Sequence, residues 1–249
     1  MRRETRDAIQ DKTLNNFDKD IVDKIKLHVQ QNMPPDPTGH DWPHVSRVLK
    51  NALAINQFEN GNEFHITLIA LTHDLYDHKF FKGTQAEAEK LLNELLVSHG
   101  VSSTDSIEIV KQVFKLSYKN GQPAREPLSI EGKIVQDADR IEAIGAIGIA
   151  RAFAYGGFKN RLMCKEKAAA VGCSSGDITN DKNFASSLPI AIGIGEKNEN
   201  QEGTTFVHFF EKLLKLYNLL NTETAKKIAK ERFEFMQEFV NRFEAEWNN

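Results

Sequence analysis

Apolar residues recur at helical spacing along most of the chain. Ile21, Ile25, Val29 and Met33 share one face of a helix that Pro34-Pro35-Asp36-Pro37 ends, because proline cannot continue it. Val45, Val48, Leu49, Ala52 and Ile55 mark a second amphipathic helix, closed by the turn signal Asn60-Gly61. Phe64 to Leu75 is mostly apolar and predicts a buried helix. Thr84-Gln85-Ala86-Glu87 is a capping box, and the helix it opens runs to His99-Gly100. Ile107, Val110, Val113 and Phe114 predict another, which stops near Asn120-Gly121. Leu128 to Phe153 is long and apolar, and its small residues (Gly145, Ala146, Gly148, Ala150) permit close helix packing.

The periodicity vanishes after Gly156 and returns at Thr205. The 158–204 stretch predicts a surface loop or lid, since structureless connections this long usually serve such roles. Ile192-Gly193-Ile194-Gly195 lacks the strand–turn–helix setting of a dinucleotide fingerprint. The last helical segments are FVHFFEKLLKLYNLL and TAKKIAKERFEFMQEFVNRFEAEW, with Asn221-Thr222 at the break as an N-cap for the second. Their phenylalanines suit a core or a homodimer surface rather than a cofactor box. No strand pattern and no internal repeat appears. The expected fold is therefore all-α, a single-domain helical array over 21–249 behind a polar tail at 1–20.

Composition narrows the function classes. A formal net charge of −3 over 249 residues gives no broad electrostatic hold on nucleic acid or an anionic membrane. Cys164 and Cys173 form no Cys-x-x-Cys pair, which disfavours a zinc knuckle or redox motif and suits a reducing compartment. The first twenty residues hold no apolar run, and no segment approaches the roughly 20 apolar residues that cross a bilayer. A cytoplasmic location is expected.

Histidine and aspartate gather in three places: Gly39-His40-Asp41-Trp42-Pro43-His44, Leu71-Thr72-His73-Asp74-Leu75-Tyr76-Asp77 and Val135-Gln136-Asp137-Ala138-Asp139-Arg140. His73 and Asp74 end an apolar helix, and neighbours on a helix point about 100° apart, so both can grip one cation. A buried carboxylate beside an imidazole needs a counter-charge, which a divalent ion supplies. His44 and an aspartate of the third cluster would complete a mixed nitrogen and oxygen set, suited to Mn, Fe, Ni, Co or Zn rather than Ca.

These residues resemble the HD-domain phosphohydrolase superfamily, in particular a compact bacterial and fungal subgroup that includes nucleoside triphosphate pyrophosphohydrolases. The matching stretches are HDWPHVSRV, LTHDLYDHKF, EGKIVQDADRIEAIGAIGIARAFAYGG, HFFEKLLKL and AKERFEFMQEFVNRFEAEW. The resemblance implies an all-α fold and a divalent metal, with Mn2+ preferred over Mg2+, Co2+, Ni2+, Fe2+ or Zn2+. It places His44, His73, Asp74 and Asp139 as ligands, with Asp137 the competitor for the last position, because Ala-Asp-Arg matches the ligand aspartate. Asp77 matches the acidic residue that orients or deprotonates the attacking metal-bound water. Arg47, Lys79 and Lys82 are candidates to bind phosphate. The implied activity is hydrolysis of nucleotides or related phosphate esters and anhydrides; the alternative is a nucleotide- or metal-binding protein with little turnover.

Overall fold

The structure, a computed structural model, describes residues 14–33, 35–77, 81–116, 127–165 and 203–248. Among them are nine α-helices and no strand: α1 (Asn16–Asn32), α2 (Trp42–Glu59), α3 (Glu63–Thr72), α4 (Gln85–Ser98), α5 (Ser103–Lys115), α6 (Ile130–Glu142), α7 (Gly145–Phe158), α8 (Thr205–Glu211) and α9 (Glu223–Trp247). Two short 3-10 turns, Leu213–Lys215 and Tyr217–Leu219, link the last two. Every described helix except α7 starts after an Asn, Asp, Ser or Thr whose side chain accepts from the backbone N–H three residues on. Such caps satisfy donors that no helical carbonyl can reach. The Thr84–Glu87 capping box forms, and Thr222 caps α9.

The centre of the fold is α3. It is apolar all round, Ile66 to Thr72 are buried, and it packs against α1, α2, α5 and α6. Around it lie the buried faces of α1 (Ile21, Ile25, Val29) and α2 (Val45, Val48, Ala52, Ile55). Asn60 closes α2 in the left-handed region at φ 59°. In α5 the buried face carries Ile109, Val110 and Val113, while Ile107 points to solvent. That helix stops at Lys115, and the expected stop at Asn120-Gly121 lies outside the described residues. So does most of the 158–204 segment, as does the tail up to residue 13; α1 starts at Asn16, inside the stretch read as tail.

The long apolar stretch from Leu128 is broken. Helices α6 and α7 meet at an elbow of 72° over Ala143 and Ile144, and Gly145 takes φ +77° there. A side chain at Gly145 would face that left-handed strain and lie 2.9 Å from Arg232 Cβ. Among the described residues no single helix is long and apolar enough to cross a membrane. The FVHFFEKLLKLYNLL segment is helical only to Glu211. Lys212 breaks it (φ −134°, ψ −60°), and the 3-10 turns beyond it bury Leu213, Leu214 and Leu216.

Two contacts lock α9 down. Phe206 of α8 stacks on Phe243 with ring centroids 4.6 Å apart, amid Phe153, Phe209 and Phe239. At the other end, the fully buried Asp137 of α6 accepts from the Asn221 and Thr222 N–H groups (2.7 and 2.8 Å), from Asn221 Nδ2 (2.8 Å) and from Thr222 Oγ1 (2.9 Å). This carboxylate is engaged by the start of a helix rather than by the other acidic and imidazole groups of its cluster. Asp137→Ala should therefore cost about 3 kcal/mol of stability by stranding buried donors, yet retain bound metal; Asp139→Ala should do the reverse. Denaturant titration beside elemental analysis checks this, and greater metal loss from Asp137→Ala would contradict it.

Candidate metal centre

Three helix ends converge. His44 sits in the first turn of α2, where its N–H donates to the capping Asp41. His73 is the C-cap of α3, and Asp74 comes next in a tight turn (Leu75 N–H to Thr72 carbonyl, 3.1 Å). The doublet thus lies just past the helix that was expected to carry it. Asp139 comes from the last turn of α6. His73 Nδ1 is 2.8 Å from the Ala70 carbonyl, one of the acceptors left over at a helix end. Its N–H donates there, which fixes the tautomer and leaves the Nε2 lone pair facing the cluster.

His44 Nε2 stands 3.4 Å from an oxygen of Asp74, from an oxygen of Asp139 and from His73 Nε2; His73 Nε2 is also 3.4 Å from Asp74. Ligand atoms about 2.1 Å from one ion lie about 3 Å apart when adjacent in an octahedron. The observed spacing is only slightly wider, and one nitrogen of each histidine and one oxygen of Asp139 all lie within 4.8 Å of one another. These three residues could hold a divalent ion, and Asp74 stands beside them, 3.4 Å from both imidazoles. Asp77 also lines this region, whereas Asp137 is held at α9.

The electrostatics say the same. Burial opposes charge on His44, but Asp139, Asp74 and Glu142 outweigh it and push its pKa up to about 10. Burial is likewise overcome at His73, which Asp74 raises. Asp74 and Asp139 lie below the usual carboxylate range despite burial, held there by the two imidazoles. Without a metal, a proton on His44 supplies part of the positive charge the cluster needs.

The cluster opens into a cavity of about 500 Å³ that is also lined by Arg151, Tyr155, Arg161, His208 and Lys212. Burial, together with Lys212 and Arg161, drives the His208 pKa down to about 4, and Glu211 lines the same wall. Arg151 Nη1 reaches His44 Nδ1 at 3.2 Å. A smaller cavity of about 150 Å³, lined by Tyr76, Phe81, Leu92 and Phe114, meets the first at His73, Asp77 and Val113.

The basic residues expected from sequence are placed differently. Arg47 donates from Nε to the buried Glu142 at 2.6 Å and does not line the cavity. Lys82 is exposed and lines neither cavity. Lys79 lies outside the described residues. Sequence reasoning passed over Glu142, Arg151, Arg161 and Lys212. For the first two there was a signal, since each is a charge set inside an otherwise apolar stretch, and such charges are buried only when partnered.

No family model matches the chain. It is 34% identical over 224 residues to the curated Bacillus subtilis protein YpgQ, covering 90% of this chain and 92% of that one. The solved structure of an HD-superfamily hydrolase from Bacillus thuringiensis superposes with a TM-score of 0.61 at 34% identity, covering 93% and 98% of the two chains. This chain belongs to the HD-domain phosphohydrolase superfamily. Within it, the crystal structure of YpgQ in complex with ADP gives a TM-score of 0.66 at 32% identity, over 92% of this chain and 96% of that one. The protein is a metal-dependent phosphohydrolase in the general sense of that superfamily, whose members use divalent metals.

These shifts set a pH dependence. His44 has a folded-state pKa of about 10 against 6.5 unfolded, so in metal-stripped protein its contribution is full below pH 6.5 and lost as pH rises towards 10. A bound divalent ion does not depend on those protons. The melting temperature of stripped protein should fall over that interval while that of metal-loaded protein holds, so the gap between them widens. Parallel curves in a thermal scan would contradict it.

Proposed function

We propose that the protein hydrolyses nucleotides, and that it splits nucleoside triphosphates into monophosphate and pyrophosphate. The observation that carries this reading is the make-up of one cavity: the His44, His73, Asp74 and Asp139 donor set shares it with Arg151, Arg161 and Lys212. A phosphate monoester needs few cations beyond the metal, whereas a triphosphate chain carries charge well past the reacting phosphorus. The ADP complex of YpgQ adds support for a nucleotide ligand.

His44 and His73, through Nε2, and the carboxylates of Asp74 and Asp139 would hold the ion, for which Mn2+ suits the mixed nitrogen and oxygen set. When bound, it supplies Lewis-acid polarisation of a phosphoryl oxygen and lowers the pKa of a water. Asp77, beside the doublet and facing the same cavity, accepts the proton of the attacking water or holds that water in line with phosphorus. Arg151 offsets charge on the phosphoryl oxygens, and Arg161 and Lys212 neutralise the departing pyrophosphate.

Stripped protein reloaded with Mn2+ should convert ATP or dATP to the monophosphate and pyrophosphate, read by product chromatography. Release of inorganic phosphate alone would remove the pyrophosphohydrolase reading, and binding without turnover would favour a nucleotide-binding role. Asp77→Asn should keep its metal and its fold but lose turnover by about 10²- to 10⁴-fold, the usual worth of general acid–base help. Full turnover, or lost metal, would move Asp77 out of that role.

A further inference from the structure

We propose that Glu142, clamped between Arg47 and Arg232, is the positioning residue for His44, and that the C-terminal helix α9 thereby sets the metal affinity of a site it does not touch. The inference rests on the metal reading of the His44 cluster. Glu142 is fully buried at the end of α6. Its Oε2 accepts from Arg47 Nε at 2.6 Å and lies 3.8 Å from His44 Nδ1; its Oε1 is 3.4 Å from Arg232 Nη1. Arg232 comes from α9, and the same Nη1 donates to the Ile141 carbonyl at 3.0 Å. A buried carboxylate is costly unless paired, and here two guanidinium groups pair it, one from α2 and one from α9. The elbow is shaped for this, because Arg232 runs past Gly145, where a Cβ would lie 2.9 Å from its own.

A neutral imidazole that gives its Nε2 lone pair to a cation must carry its proton on Nδ1, and that proton needs an acceptor. In this structure Arg151 Nη1 donates to Nδ1 at 3.2 Å, so Nδ1 is the acceptor there, and a proton on Nδ1 must displace that contact. Glu142 Oε2 lies 3.8 Å from the same nitrogen, a few tenths of an ångström outside hydrogen-bond reach, and accepts that proton once Arg151 gives way to it. It fixes the ring's tautomer and orientation and raises the basicity of Nε2. Arg47 and Arg232 hold the carboxylate in place, so Arg232 acts on the metal through two intervening side chains.

The test is Mn2+ titration of metal-stripped protein, with free Mn2+ followed by electron paramagnetic resonance. Helicity and the denaturation midpoint are recorded on the same preparations. Glu142→Gln keeps the volume and removes the charge, and it should weaken Mn2+ binding by about 10- to 100-fold in folded protein. Arg232→Met should weaken it in the same direction by a smaller factor, and Arg232→Lys should restore part of the loss. Phe239→Leu, which loosens the aromatic packing of α9 away from the clamp, should lower the midpoint and leave the Mn2+ affinity alone. Unchanged Mn2+ affinity in folded Glu142→Gln and Arg232→Met would overturn the clamp, as would an equal loss in Phe239→Leu. If Glu142→Gln fails to fold, the two Arg232 variants decide. Failure of the unaltered protein to bind Mn2+ would instead overturn the metal reading itself.

Discussion

Four groups that repel or compete when alone are held together at 3.4 Å spacings: two imidazole nitrogens and two carboxylate oxygens. Two carboxylates gathered around one buried imidazole are tolerable only if positive charge sits among them, as protons or as a metal ion. Much of the surrounding structure can be understood as the means of imposing this arrangement. The apolar α3 ends at the point of convergence, and its leftover Ala70 carbonyl turns His73 inward. The first turn of α2 and the last turn of α6 deliver His44 and Asp139. A site assembled from helix ends draws on rigid elements while using the short turns beyond them to aim side chains.

Charge is also organised around the cluster. Glu142 lies behind His44, between Arg47 and Arg232, and Arg151 lies on the cavity side of the same imidazole. One ring therefore faces a carboxylate and a guanidinium through one nitrogen and the ligand cluster through the other. Farther along the cavity, burial first and then Lys212 and Arg161 hold the His208 pKa down.

Much of this was legible in the chain. Helical periodicity predicted most helices, and the caps at Thr84 and Thr222 predicted two of their starts, because both signals are local. The His73-Asp74 doublet stood out for the same reason. Choosing Asp139 over Asp137 depended on a resemblance, since the two carboxylates differ only in which side of α6 they face and in a contact to Asn221 and Thr222 across the fold. Arg47 misled because its spacing from His44 suggests a phosphate ligand, while its true partner, Glu142, is 95 residues away in sequence. The elbow was hidden because an apolar run looks alike whether it is one helix or two. The short α8 was hidden because 3-10 turns bury leucines as well as an α-helix does.

The elbow at Ala143 and Ile144 has a consequence for how such a protein can diverge. Asp139 and Glu142 lie just before it and Arg151 two turns after, so the carboxylates around His44 and a guanidinium of the cavity wall sit on two sides of one joint. Each residue added to a helix rotates the chain beyond it by about 100°. An insertion or deletion at the joint would re-aim Arg151 without altering the ligand-bearing turn of α6. A change of two or three residues at this joint would thus act on the cavity wall and, through Gly145 and Arg232, on the carboxylate behind His44 as well.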